Sequence, residues 1–155
     1  MAAFSLVELL VVVAIMATLA TIGLPLMEIA QQRTREEDLR RSLREIRDAL
    51  DAYKKMSDEG RIAKPADASG YPPNLDALVE GVTDVQSPQG KKLFFLRRIP
   101  RDPFSTAPAS SKASSTWALR SYQSTAEEPR SGTDVYDVRS TSTGVALDGT
   151  AYRNW

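Results

Sequence analysis

The sequence predicts an α+β fold: a long N-terminal α-helix, transmembrane in its first half and amphipathic in its second, packed on a small antiparallel β-sheet. Three observations predict it. Nearly all the contiguous apolar sequence lies in the first thirty residues. An apolar stripe at helical spacing follows it directly. Only beyond that stripe do short alternating runs appear, separated by Gly, Pro and Ser.

Length and composition narrow the function classes. At 155 residues the chain holds one domain with a small core. Twenty basic and twenty acidic residues cancel, which argues against nucleic acid as a main partner. Without Cys, neither a disulfide nor a thiolate metal site can form. Without His, the commonest general base and transition-metal ligand is missing, so catalysis is not expected.

Residues 1–3 read as a leader remnant and 4–27 as the membrane half of the helix. The run FSLVELLVVVAIMATLATIGLPLMEIA, from Phe4 to Ala30, is long enough to cross a ~30 Å hydrocarbon core. It has no basic start and no small-residue cleavage site after it, so it reads as retained and not as a cleaved secretory signal. Residues 28–155 form the water-soluble body: an amphipathic helix over 28–58, loops and a short helix over 59–116, and a C-terminal sheet and loop over 117–155. In the amphipathic helix Leu39, Leu43, Ile46, Leu50 and Tyr53 make one stripe. Glu36 with Arg40, and Glu37 with Arg41, support an exposed face. The Arg-rich stretch from Arg33 to Arg47 reads as a solvated face or a subunit contact. Membrane half and stripe together make one helix of about fifty residues, roughly 80 Å long. Gly23 and Pro25 predict a kink or a locally melted turn.

Beyond the helix, Glu59 to Ser69 is a loop punctuated by Tyr71-Pro72-Pro73. Asn74 is a fair N-cap for a short helix through Leu75, Leu78 and Val79 that Gly81 stops. Val82 to Gly90 reads as loop. Leu93, Phe94, Phe95, Leu96 and Ile99 form an apolar cluster between Lys91-Lys92 and Arg97-Arg98, which read as edge solubilisers. Thr106 to Thr116 is a Ser/Ala/Pro-rich loop. Strands are expected at Trp117 to Ser124 and Asp134 to Arg139, followed by a small-residue loop from Thr141 to Gly149. Trp117, Tyr122 and Trp155 are expected in the core.

Glu8 is the most informative single residue. A carboxylate near the start of a membrane span costs about 2–3 kcal/mol and needs compensation. Two readings stay open. Glu8 can sit in the headgroup layer, favoured by the helix dipole. Alternatively, if the chain is cut before Phe4, the new α-amine of one copy can pair with Glu8 of its neighbour. That pairing would set the register of a helical polymer, as a buried polar group does in a coiled coil.

Phe4-Ser5-Leu6-Val7-Glu8-Leu9-Leu10-Val11-Val12 resembles the class III signal and mature N-terminus of type IV pilins and type II secretion pseudopilins. The resemblance implies the type IV pilin-like fold. It also implies a peptidase that cuts between Ala3 and Phe4 and methylates the new amine of Phe4. Glu8 then falls at the fifth mature position, where the family's acid is needed for assembly. Pro25 falls where the family carries a helix-breaking Pro, at which the helix loosens in the filament. The chain departs from the pattern before the cut, where Gly after a basic leader is usual and Met1-Ala2-Ala3 stands here.

Other segments are similar to major pseudopilins in particular: Tyr71-Pro72 with Leu75-Asp76-Ala77-Leu78-Val79, Leu96 through Phe104, Asp134-Val135-Tyr136, and Asn154-Trp155. Type IV pilins usually close a C-terminal loop with a disulfide, which this chain cannot form. The implied function is a structural subunit of the type II secretion pseudopilus, driving export of folded proteins across the outer membrane. The alternatives are a pilin or pilin-like subunit for adhesion or motility, and a minor pseudopilin. The implied partners are further copies in a helical homopolymer, minor pseudopilins, the prepilin peptidase, an inner-membrane platform protein and an assembly ATPase. Secretin and exoproteins are met indirectly, and lipid covers the helix before assembly. The implied location is the inner membrane of a Gram-negative bacterium, with the body in the periplasm. The resemblance also implies Ca2+ in the loop before the last aromatics, at the Val138 carbonyl, Thr141 and Asp148, with Asp137 nearby. Thr141 stands where Asp is usual. The competing reading is a loop pinned by hydrogen bonds and by packing of Tyr152 and Trp155.

Overall fold

The computed structural model describes residues 5–155, with side chains described outside 22–25. Helix α1 spans Leu6–Asp58 without a break, 53 residues in all. Ser5 precedes it in extended conformation, and Glu8 sits in its first turn. At its end the N–H groups of Glu59 and Gly60 return to the carbonyls of Lys55 and Ser57. The melted turn expected at Gly23 and Pro25 is not present in the single chain. Proline removes one bond of the ladder, while long helical segments on both sides keep the backbone helical.

Two environments divide α1. The described side chains from Ser5 to Ala30 are all exposed. From Gln32 onward one face is covered by the body, and the expected stripe is buried: Leu39, Leu43, Ile46, Leu50 and Tyr53, joined by Ala49. Each fully buried Leu or Ile here contributes about 1.5–3 kcal/mol. This stripe is the spine of the core, which Leu75, Leu78, Leu96, Trp117, Val135, Val138 and Tyr152 complete.

Helix α2 is a single turn, Ala77–Glu80. Asn74 caps it as expected, its Oδ1 accepting from the Ala77 N–H at 2.9 Å. Gly81 ends it at φ 78°, where a Cβ would also lie 2.6 Å from the Phe94 ring. The left-handed conformation requires glycine there, and the ring would also have to move to admit a side chain. The Leu78 carbonyl accepts from the N–H groups of Phe95 and Leu96, pinning the apolar cluster to α2. Leu96 is buried and Phe95 meets the Tyr53 ring, whereas Phe94 points outward.

Strands β1 (Val82–Thr83) and β2 (Lys92–Leu93) pair antiparallel, Val82 opposite Leu93 and Thr83 opposite Lys92. The sequence reads 82–90 as loop, because a two-residue strand is too short to show alternation. Lys91, Lys92, Arg97 and Arg98 are exposed, as expected of solubilising residues at an edge. The β1–β2 turn is tied to the segment after α1. Arg61 donates to the Asp84 carboxylate, and the Val85 N–H to the Arg61 carbonyl at 2.9 Å.

Arg61, aided by the Gln86 N–H, holds the Asp84 carboxyl below the usual carboxylate range. A depressed folded-state pKa contributes stability above the unfolded value of about 3.9, and that stability is lost as pH falls through the folded pKa. Below about pH 4 the melting temperature of the wild type should therefore fall more steeply than that of Asp84→Asn. Circular dichroism melts across that range check it, and parallel curves would refute the coupling.

Strands β3 (Trp117–Arg120) and β4 (Asp137–Ser140) form a second antiparallel pair, Trp117 opposite Ser140 and Arg120 opposite Asp137. Strand β4 packs on α1, with Val138 fully buried. The β-structure is therefore two separate two-stranded sheets, not one small sheet. Both C-terminal strands also differ from their expected spans. Beyond Arg120, the Ser121 N–H goes to the Arg130 carbonyl and the Tyr122 N–H to the Asp134 carboxylate, which turns the chain out of the ladder. Trp117 is in the core as expected, its Nε1 donating to the Pro100 carbonyl at 2.8 Å. Trp155 is half-buried. Tyr122 is not in the core: it is 58% exposed and clusters with Tyr71 and Tyr136 at the surface.

Candidate functional site

The first candidate site is the bare half of α1. It is long and apolar enough to cross a membrane, and none of its most apolar window is buried. Its two threonines are satisfied within the helix: Thr18 Oγ1 donates to the Ala14 carbonyl at 2.8 Å, and Thr21 Oγ1 to the Thr18 carbonyl at 2.7 Å. Internal satisfaction of this kind suits a surface that faces lipid or other apolar helices. Glu8 stands apart. It is exposed in the first turn, where the helix dipole favours it by about 0.3–1 kcal/mol. The next charged residue is Glu28 and the first basic one is Arg33, roughly 37 Å along the axis from Glu8. Ala3 and Phe4 lie outside the described residues, as does the side chain of Pro25.

The second candidate site is the C-terminal segment, which a polar stripe of α1 holds against the body. Gln32, Glu36, Arg40 and Arg47 recur at spacings that place them along one side of the helix. Glu36 is buried, and its Oε1 accepts from the Leu147 N–H, the Tyr152 hydroxyl and Gln32 Nε2 at 2.9, 2.9 and 3.1 Å. Gln32 Nε2 also reaches the Val145 carbonyl. Arg40 pairs with Asp148 at 3.2 Å and lies over the Trp155 ring, 4.2 Å from its centroid. Arg47 donates from Nε to Asp137 at 2.8 Å, and from Nη2 to the Val138 and Trp155 main-chain oxygens at 3.1 and 2.9 Å. Tyr152 stacks on Phe104 and meets Trp155 edge-on. Hydrogen bonds and aromatic packing thus both hold this segment to the body.

The residues proposed for Ca2+ do not fit that ion as they stand. The Val138 carbonyl faces the Arg47 guanidinium, and Asp137 is bound by the same group. Thr141 donates from Oγ1 to the Thr116 carbonyl at 3.1 Å. Asp148 is engaged by the hydroxyl and N–H of Thr150, which hold its carboxyl below the usual range, with a smaller contribution from Arg40. Among the described residues no three or more acidic side chains are grouped closely enough to hold a metal ion.

The stretch from Arg33 to Arg47 is therefore only partly a solvated face. Glu36 does not pair with Arg40 but turns inward, and Arg40 and Arg47 reach the C-terminal segment. The spacing that aligns them with Gln32 was visible in the sequence, but their partners ninety or more residues on were not. Comparison of the chain with protein-family models, with curated proteins and with solved structures gives no match.

Proposed function

We propose that the chain is a major pseudopilin of a type II secretion system, a membrane-held subunit that polymerises through its N-terminal helix. The bare apolar half of α1 carries the reading. Its exposed Leu, Val, Ile and Met side chains must be covered by lipid or by other helices to escape the cost of hydrating them. Lipid covers them before assembly, and neighbouring copies cover them in the filament core. The lone carboxylate of Glu8 suits the second state, in which the freed amine of Phe4 on an adjacent copy supplies the missing cation. The segment Phe4 to Val12 supports the family as a whole, and the matching segments of the body, with the lack of Cys, support this branch over a motility or adhesion pilin.

In this reading the peptidase cuts between Ala3 and Phe4, and the body waits in the periplasm of a Gram-negative bacterium. The chain carries no phosphate-binding Gly-rich loop with Lys, so a separate ATPase and platform protein must drive extraction from the membrane. Minor pseudopilins cap the tip, and the growing filament pushes exoproteins toward an outer-membrane secretin. Overproducing the wild-type chain in a host with this machinery should give surface filaments visible by electron microscopy and labelled by antibody to the body. Dispersed membrane-bound monomers alone, with the machinery demonstrably active, would overturn the reading.

A further inference from the structure

We propose that the C-terminal segment carries its own cation, the guanidinium of Arg47, and holds its shape without a divalent metal. Three oxygens from the two ends of the segment converge on this group: Asp137 Oδ1 at 2.8 Å and the Val138 carbonyl at 3.1 Å from the start of β4, and the Trp155 main-chain oxygen at 2.9 Å. One carboxylate and two main-chain oxygens gathered at one point are the donor set a hard cation collects. Here a fixed organic cation collects them, with N–H donors aimed in a rigid plane.

The arrangement is built from both sides. Arg47 projects from the C-terminal quarter of α1, between buried Ile46 and the buried pair Ala49 and Leu50, so its backbone is held by the core. Asp137 is oriented in turn, since its Oδ1 also accepts from the Val138 N–H at 2.8 Å. Two turns earlier on α1, Arg40 covers the other side of the closing residue, its guanidinium 4.2 Å from the Trp155 ring centroid. Trp155 is thus held by one arginine at its main chain and by another at its ring. A divalent ion at the same oxygens would have to displace Arg47 or sit beside it, and like charges a few Å apart repel strongly at a half-buried site.

The inference goes beyond the proposed function and does not depend on polymerisation, so a failed filament assay leaves it standing. It is tested on the purified full-length chain in detergent micelles, with thermal unfolding followed by near-ultraviolet circular dichroism. The wild type should melt at the same temperature in millimolar calcium and in excess chelator. Arg47→Met should lower the melting temperature by roughly 5 °C in both conditions. It should also speed tryptic cleavage after Arg153 several-fold. Arg47→Lys, which keeps the charge but not the fork, should fall between the two. A calcium-induced rise of more than about 3 °C in the wild type would overturn the proposal, because only a ligand bound to the folded chain produces one. So would an Arg47→Met protein that matches the wild type in both melting and cleavage.

Discussion

Replacing Glu8 by Ala is expected to leave the chain in the membrane and to remove its filaments. The substitution takes a carboxylate out of an apolar span, which by itself makes membrane residence more favourable by about 2–3 kcal/mol. Insertion and folding of the body should be unaffected, because Glu8 is exposed at the far end of α1 from the core. Assembly should suffer in the opposite sense. In the proposed polymer every added copy makes one amine–carboxylate contact in an apolar surround, a charge-assisted bond of about 1.5–3 kcal/mol. Losing it weakens each addition by roughly ten- to a hundred-fold, and every addition carries the same loss. Glu8→Asp should retain some assembly, and Glu8→Gln should retain little, because the amide keeps a dipole but no charge. Filaments counted by electron microscopy, beside the membrane content of the chain by immunoblot, give the result. A chain that only tethers its body to the membrane would tolerate all three changes. Equal filament numbers in the Ala variant and the wild type would therefore end the polymer account.

Asp102→Ala should be the most damaging single change in the body. Asp102 is buried, and its carboxylate accepts from the Phe104 N–H at 2.8 Å, the Ser140 hydroxyl at 2.7 Å and the Thr141 N–H at 3.2 Å. Its own N–H reaches Thr116 Oγ1 at 3.2 Å. One side chain thus joins the turn after the apolar cluster to the end of β4, beside the start of β3. Truncation leaves three donors without their acceptor, the Ser140 hydroxyl buried and the Phe104 and Thr141 N–H groups partly so. At about 1–2 kcal/mol each, the loss is roughly 3–6 kcal/mol, a large share of the 5–15 kcal/mol typical of a domain. The expected fall in melting temperature is roughly 10–15 °C. Asp102→Asn keeps one acceptor oxygen and should lose less. Equilibrium unfolding of both variants in micelles measures it, and a fall under about 2 °C for the Ala variant would show that the carboxylate is not what holds these segments together.

The parts of the fold legible in the sequence are those governed by local period. The buried stripe of α1 was readable from its spacing of three and four, and the α2 cap and stop from Asn74 and Gly81. The same logic failed where pairing is non-local. Strands β1 and β2 are too short to alternate, and β3 ends early because Asp134 captures the Tyr122 N–H. Tyr122 was expected inside because it is aromatic. It lies outside because the turn that follows β3 faces it toward Tyr71 and Tyr136. Of the candidate site, Glu8 was legible because a charge within an apolar run needs no tertiary information to stand out.

By itself, then, the sequence determined that this chain has an apolar helical half with one carboxylate in it, continued by a helix with a single buried stripe. Hydrophobic period and charge placement are properties of neighbouring residues, and the chain cannot rearrange them by folding. Only the tertiary structure decided what the polar side of α1 does. Glu36, Arg40 and Arg47 resemble their solvated neighbours in sequence, and they become a clasp because residues 137–155 fold back onto them. The partner of a charge across so long a loop is chosen by how the core packs, since the core sets which surfaces meet and each side chain then takes the oxygen or the cation within its reach.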